Sequence, residues 1–275
     1  MIDKIADLPP VSTMMRECDM TAKKKFGQNF LFDLNLTGRI ARAVPNIDNI
    51  PVIEVGPGPG GLTRALLLAG AKRVIAVEMD KTTEPILSRI VDAAAGRLTV
   101  VFGDALKTDF SKFGFDKYAI CSNLPYNVGT ELLIQWIHKI ANGEPIQSLT
   151  LMFQREVAER IIARPNDDAY GRLSVLVNLV ADAKILFNVP RTAFTPAPKV
   201  TSAVVQIIPN ADKIKILGNI ESVENITAKL FGMRRKMIRG IMPDVDWSAF
   251  GLVGTERAEN IAPEKFCEIA KKLLP

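Results

Sequence analysis

The chain has 275 residues, 48% hydrophobic and 24% charged, the balance of a globular protein with one large domain or a large and a small one. Its 35 basic and 30 acidic residues give a formal net charge of +5, which permits a polyanionic partner without requiring one. No apolar run approaches the ~20 residues that span a bilayer. The first 22 residues carry Asp3, Asp7, Glu17 and Asp19, unlike a secretory signal or an acid-poor transit peptide. A cytoplasmic protein with no membrane partner is therefore expected. Cys18, Cys121 and Cys267 are odd in number and far apart, which argues against a disulfide framework or a structural zinc site. His138 is the only histidine, beside the apolar positions Leu133, Ile134, Trp136, Ile137 and Ile140. It reads as a residue beside the core, and no metal site is expected.

In chain order, 33–44 reads as a helix with Asp33 as N-cap. A buried strand at 51–55 ends in a Gly/Pro cluster and is followed by a helical pattern through 69. Then come a strand at 73–77, a helix at 82–94, strands at 98–102 and 118–122, a helix at 130–141, a strand at 148–153 and a charged helix at 155–163. Strands separated by helical stretches of this length predict an α/β domain, a mostly parallel sheet with helices on both faces. Past the loop at 164–168 the pattern changes to apolar runs at 173–180, 183–189 and 202–208, around a Pro-punctuated stretch at 194–199. Pro209-Asn210 reads as a domain boundary. From about 213 the chain reads as short helices broken at Pro243 and Pro263. The expected division is an N-terminal arm (1–22), a large α/β domain (23–209) and a small helical domain (210–275).

The first strand leads into Glu54-Val-Gly-Pro-Gly-Pro-Gly-Gly61, whose Gly56, Gly58 and Gly61 satisfy a G-x-G-x-x-G dinucleotide fingerprint. Glu78 follows the second strand, where a ribose-binding acid belongs. Taken alone, this fits NAD as well as S-adenosylmethionine. Pro57 and Pro59 tip the balance, because each deletes a backbone N–H that a pyrophosphate would use. S-adenosylmethionine has no phosphate, and its sulfonium suits nearby carboxylates such as Glu54. Asp104 ends the third strand, where it can accept from an adenine amine. The Gly loop, Glu78 and Asp104, each after a successive strand, converge on one adenosine-sized crevice.

Ser122-Asn-Leu-Pro-Tyr-Asn127 follows the fourth strand. An adenine amine is a poor nucleophile because its lone pair is delocalised into the ring. Acceptors for its hydrogens favour the tetrahedral nitrogen formed during attack. Asn123 offers a side-chain carbonyl and Leu124 a main-chain one, whose direction Pro125 restricts. Tyr126 offers a ring on which a purine can stack, and transfer would rest on proximity and orientation rather than on a strong base. Phe194, in a loop with prolines, could cover the other face of an unstacked base.

Together these motifs resemble the small-subunit (16S) ribosomal RNA adenine N6,N6-dimethyltransferases, which modify two adjacent adenosines near the 3′ end of 16S RNA. The resemblance runs through 25–31, 54–63, 77–80, 103–106, 123–127, 194–204, 234–239 and 257–261. It implies a Rossmann-like methyltransferase domain with a small C-terminal helical domain, S-adenosylmethionine as methyl donor and 16S rRNA of the small subunit as partner, acted on by a monomer. It further implies that Gln28, Asn29, Leu31, Gly56, Gly58, Glu78, Met79, Asp104, Ala105 and Asn123 hold the cofactor, and that Asn123, Leu124, Pro125, Tyr126 and Phe194 form the catalytic, target-base pocket. Arg234, Arg235, Lys236 and Arg239 are the expected phosphate contacts, with Arg235 and Arg239 one helical turn apart. Four alternatives remain: the macrolide-resistance type of 23S rRNA adenine methyltransferase, a mitochondrial transcription-factor relative, which the acidic N-terminal residues disfavour, a largely non-catalytic assembly factor, and an NAD-dependent oxidoreductase.

Overall fold

A computed structural model describes residues 4–20 and 29–274. In chain order its elements are α1 (Val11–Glu17), β1 (Phe30–Leu31), α2 (Leu34–Arg42), β2 (Val52–Val55), α3 (Gly61–Leu68), β3 (Val74–Glu78), α4 (Glu84–Ala93), β4 (Leu98–Phe102) and β5 (Tyr118–Asn123). There follow α5 (Gly129–Ala141), β6 (Ile146–Gln154), α6 (Arg155–Ile162), α7 (Arg172–Val180), β7 (Ala181–Val189), β8 (Phe194–Thr195) and β9 (Ser202–Pro209). The last elements are α8 (Ala211–Leu217), α9 (Ile220–Phe231), α10 (Ile238–Ile241) and α11 (Pro263–Leu273).

These elements form two compact units, and the boundary crosses the chain several times. One holds the described residues up to Leu133 with Glu144–Arg155 and Ile185–Ile207; the other holds Ile134–Gly143, Glu156–Lys184 and the residues from Ile208 on. The sequence suggested a single break near 209. The apolar run at 173–180 explains the difference: it is the helix α7, which buries Val175, Leu176, Val177, Leu179 and Val180 and packs with α8, α9 and α11.

A seven-stranded sheet runs in the order β4-β3-β2-β5-β6-β9-β7. β4, β3, β2, β5 and β6 are parallel neighbours, and β9 joins β6 antiparallel. Every residue of β2 and β3 is buried, as in a parallel sheet covered on both faces. The chain runs outward from β2 through β3 to β4, then returns to place β5 on the other side of β2. Connections therefore diverge beyond the carboxyl ends of β2 and β5, the switch point where doubly wound sheets open a crevice. The helix starts follow local chemistry. Asp33 accepts from the Asn35 N–H at 2.8 Å to cap α2, and Pro263 opens α11 at a position where no N–H is needed.

Residues 4–20, read from the sequence as part of an N-terminal arm, are docked in the first unit. Ile5, Val11, Met14 and Met15 are buried in the same core as Leu66 and Ile90. Arg64 of α3, only 2% exposed, donates to the carbonyls of Pro9 (2.5 Å), Leu8 (3.0 Å) and Ile5 (3.4 Å). A buried guanidinium stripped of these acceptors is an uncompensated charge, which typically costs about 3–5 kcal/mol. Deleting residues 1–10 is therefore expected to lower unfolding stability in urea by at least that range. An unchanged midpoint would show that Arg64 does not depend on this segment.

Candidate functional site

A cavity of about 330 Å³ opens at the switch point, within the first unit. The loop after β2 supplies Gly56 to Pro59, β3 ends in Glu78 and Met79, and the turn after β4 brings Asp104 and Ala105. The turn after β5 contributes Asn123 to Val128, and β1 with its preceding residue contributes Asn29, Phe30 and Leu31. The chain thus brings together every cofactor residue expected from the sequence except Gln28, which lies outside the described residues.

The glycine loop is shaped by contacts that only glycine permits. Gly58 has φ 54°. A β-carbon there would lie 3.0 Å from the Phe30 ring, and one on Gly61 would lie 2.5 Å from the Leu31 carbonyl oxygen. β1 therefore lies directly over the loop. Glu78 braces it from the other side: one carboxylate oxygen accepts from the Gly58 N–H at 2.9 Å and the other from the Asp80 N–H at 2.7 Å. Burial pushes the Glu78 carboxyl above its usual range, against those two hydrogen bonds. Asp104 accepts from the Leu106 N–H at 3.0 Å, fixing its turn.

Glu54, named above only as a carboxylate near the sulfonium, has a more particular place in the structure. It is 1% exposed, lines the cavity and accepts from the Thr63 hydroxyl at 2.6 Å. Burial pushes its carboxyl up to about 8, against the Thr63 bond and with some help from Glu78. Among the described residues, the cavity lining holds three carboxyl side chains and no lysine or arginine. Such a lining repels a pyrophosphate and favours a cationic ligand.

The end of β5 and the turn after it are held by a series of hydrogen bonds. The Ser122 hydroxyl donates to the Val55 carbonyl, tying β5 to β2. Asn123 Nδ2 donates to the Asn29 carbonyl at 3.1 Å, so its donor end is engaged and Oδ1 is the end left to accept. The Pro125 carbonyl accepts from the N–H groups of Val128 (3.2 Å) and Gly129 (3.0 Å), starting α5. Tyr126 shares a 2.6 Å hydroxyl bond with Ser202 of β9, which fixes its ring, and burial raises its phenol.

Phe194 is placed differently from the expectation. It lies in β8, paired with Leu31 of β1, is 4% exposed and sits in the core with Phe30 and Leu31, off the cavity lining. The prolines around it suggested an exposed loop, but the short β1–β8 ladder draws its ring inward. His138 stands beside the core as expected, 3.2 Å from Glu224 and 3.5 Å from Glu221.

In the second unit, Arg234, Arg235, Lys236 and Arg239 are all exposed. Arg235 and Arg239 do not share a helix: α9 ends at Phe231, residues 232–237 form a turn, and only Arg239 lies in the four-residue α10. Arg234 is committed within the fold, its Nε donating to Glu259 at 2.7 Å and its Nη2 to the Asp168 carbonyl at 2.6 Å.

Fold and crevice together define a Rossmann-like methyltransferase domain. A solved dimethyladenosine transferase from Plasmodium falciparum superposes with a TM-score of 0.74 at 27% identity, covering 87% of this chain and 95% of its own. The 23S rRNA methyltransferase ErmE shares the fold, with a TM-score of 0.68 at 23% identity, covering 89% of this chain and 99% of its own. A family model described as ribosomal RNA adenine dimethylase matches residues 19–274, and the chain belongs to that family. Among curated relatives, the ribosomal RNA small subunit methyltransferase A of Chelativorans sp. (strain BNC1) is 47% identical, over 97% of this chain and 98% of its own. The protein of the same name from Roseobacter denitrificans is 46% identical, over 97% of each chain.

Proposed function

We propose that this chain dimethylates the N6 amine of two adjacent adenosines near the 3′ end of 16S rRNA during small-subunit biogenesis, with S-adenosylmethionine as donor. The observation that carries this reading is the Asn123 amide, whose donor end is held by the Asn29 carbonyl so that its acceptor end is left for an amine hydrogen beside the cavity.

The residues present fit the donor: a carboxyl-lined cavity without cationic side chains among its described residues, bordered by a loop with two prolines in place of N–H donors. S-adenosylmethionine supplies an electrophilic methyl group on a positively charged sulfur. Glu78, Met79, Asp104 and Ala105 would hold its adenosine, and Asn29, Leu31, Gly56 and Gly58 would hold the remainder. Asn123 Oδ1 and the Leu124 carbonyl accept the two amine hydrogens, which localises the nitrogen lone pair toward the methyl group. Tyr126, fixed by Ser202, stacks on the unstacked adenine. Phe194, packed with Phe30 and Leu31, steadies the segment that carries the Asn29 carbonyl. Most of the rate enhancement then comes from orientation, with the amide and carbonyl at 123 and 124 acting as acceptors rather than as bases.

The 23S-directed alternative rests on a likeness of fold, whereas the relatives that match across nearly the whole chain are named for the small subunit. Arg235, Lys236 and Arg239 serve as phosphate contacts, and the enzyme acts as a cytoplasmic monomer. Calorimetric titration tests the donor assignment: S-adenosylmethionine should bind and NAD should not. Tight NAD binding without S-adenosylmethionine binding would defeat it.

A further inference from the structure

Glu54 is a buried carboxyl that the transfer step does not use. It faces the cavity from the end of β2 and meets three groups from neighbouring elements: Thr63 of α3, which donates to it, Glu78 of β3 and Cys121 of β5. Glu78 in turn faces Asp80. Glu54 and Glu78 are two buried acids that share the cavity, and among the described residues neither is paired with a lysine or arginine. A buried carboxylate without a partner is costly, and such a group takes up a proton instead.

Resting on the donor reading above, we propose that Glu54 is a proton-linked charge sensor: it is neutral in the empty site, gives up its proton when the cationic methyl donor binds, and takes one back when the donor has become a neutral thioether. In the transfer the methyl group moves to N6. The carbon–sulfur bonding pair stays on sulfur, and the attacked nitrogen, having spent its lone pair, sheds one proton. Loss of the sulfonium charge leaves Glu54 again without a counter-charge, so it protonates from solvent. Ionised Glu54 thereby favours donor over product, a discrimination that shape alone supplies poorly because the two ligands differ by one methyl group.

The sign follows from burial, which pushes the Glu54 carboxyl up to about 8. Below that pH, donor binding releases a proton and tightens as pH rises, by up to about tenfold per pH unit for one proton; above it the dependence levels off. Product binding has a smaller slope.

The test is calorimetric titration of the full chain with S-adenosylmethionine and with S-adenosylhomocysteine, between about pH 6 and 8.5, in two buffers of different ionisation enthalpy. Each is repeated on Glu54→Gln, which keeps size and the Thr63 bond, so the difference between proteins cancels the ligands' own titration. Wild type should release close to one proton more for donor than for product near pH 7, and its donor-over-product preference should grow about tenfold or less per unit up to about pH 8. Glu54→Gln should lose both effects. Equal proton release for both ligands in wild type overturns the proposal, even if the variant does not fold. Release that persists in Glu54→Gln also overturns it. Failure of both ligands to bind would instead remove the donor reading, and this proposal with it.

Discussion

Asn123→Ala is expected to lower methyl transfer by about 10²–10³-fold while RNA affinity stays within about twofold, the usual loss for one preorganised hydrogen-bonding group at a reacting centre. The side-chain amide has two ends. The nitrogen end is tied to the Asn29 carbonyl, and the oxygen end then has a fixed direction before substrate arrives. Alanine removes the acceptor that holds the amine hydrogen and leaves the Leu124 carbonyl to act alone. Asn123→Asp keeps acceptor oxygens but sets one against the Asn29 carbonyl, so it too should be slow. The pair separates an oriented amide from a merely acidic side chain. Single-turnover transfer of labelled methyl, with filter binding of RNA in parallel, reads both quantities. Unimpaired turnover in Asn123→Ala would remove the residue from the mechanism.

Reversing Arg235, Lys236 and Arg239 to glutamate should weaken RNA binding by about 100-fold or more near 0.1 M salt, and should make its logarithmic salt dependence shallower by about two to three. These three side chains are exposed on the turn and short helix between α9 and the following loop. Arg234 belongs to a different class. Its guanidinium is held by Glu259 and the Asp168 carbonyl, so Arg234→Glu should loosen the loop at 164–168, with a smaller change in salt slope than the three others give together. Binding measured across salt concentrations separates these outcomes. An unchanged slope in the triple variant would show the stretch to be an ordinary solvated surface.

What could be read in advance follows the range of the interactions. Each strand–turn–helix corner of the crevice is local. Proline without its N–H, glycine at a corner and a carboxylate after a strand have their meaning within a few residues, and successive corners gather at one sheet edge. Asn123 was legible for that reason. Its fixing partner was not, because Asn29 contributes a main-chain carbonyl that any residue would offer. Arg64 was hidden likewise: on α3 it looks like a surface arginine, and only long-range backbone acceptors from Ile5 to Pro9 explain its burial. Phe194 was misplaced because a two-residue ladder with β1 leaves no periodic signature. The basic cluster suggested a helix, but α9 ends before it at Phe231, and the chain turns from Gly232 on.

The most direct measurement is incubation with undermethylated small subunits and labelled S-adenosylmethionine, followed by mapping of the modified nucleotides. The label should appear on N6 of two adjacent adenosines near the 3′ end of 16S rRNA, two methyl groups on each, and should vanish with Asn123→Ala. Label confined to 23S rRNA, or full donor binding with no transfer to small subunits, would contradict the account.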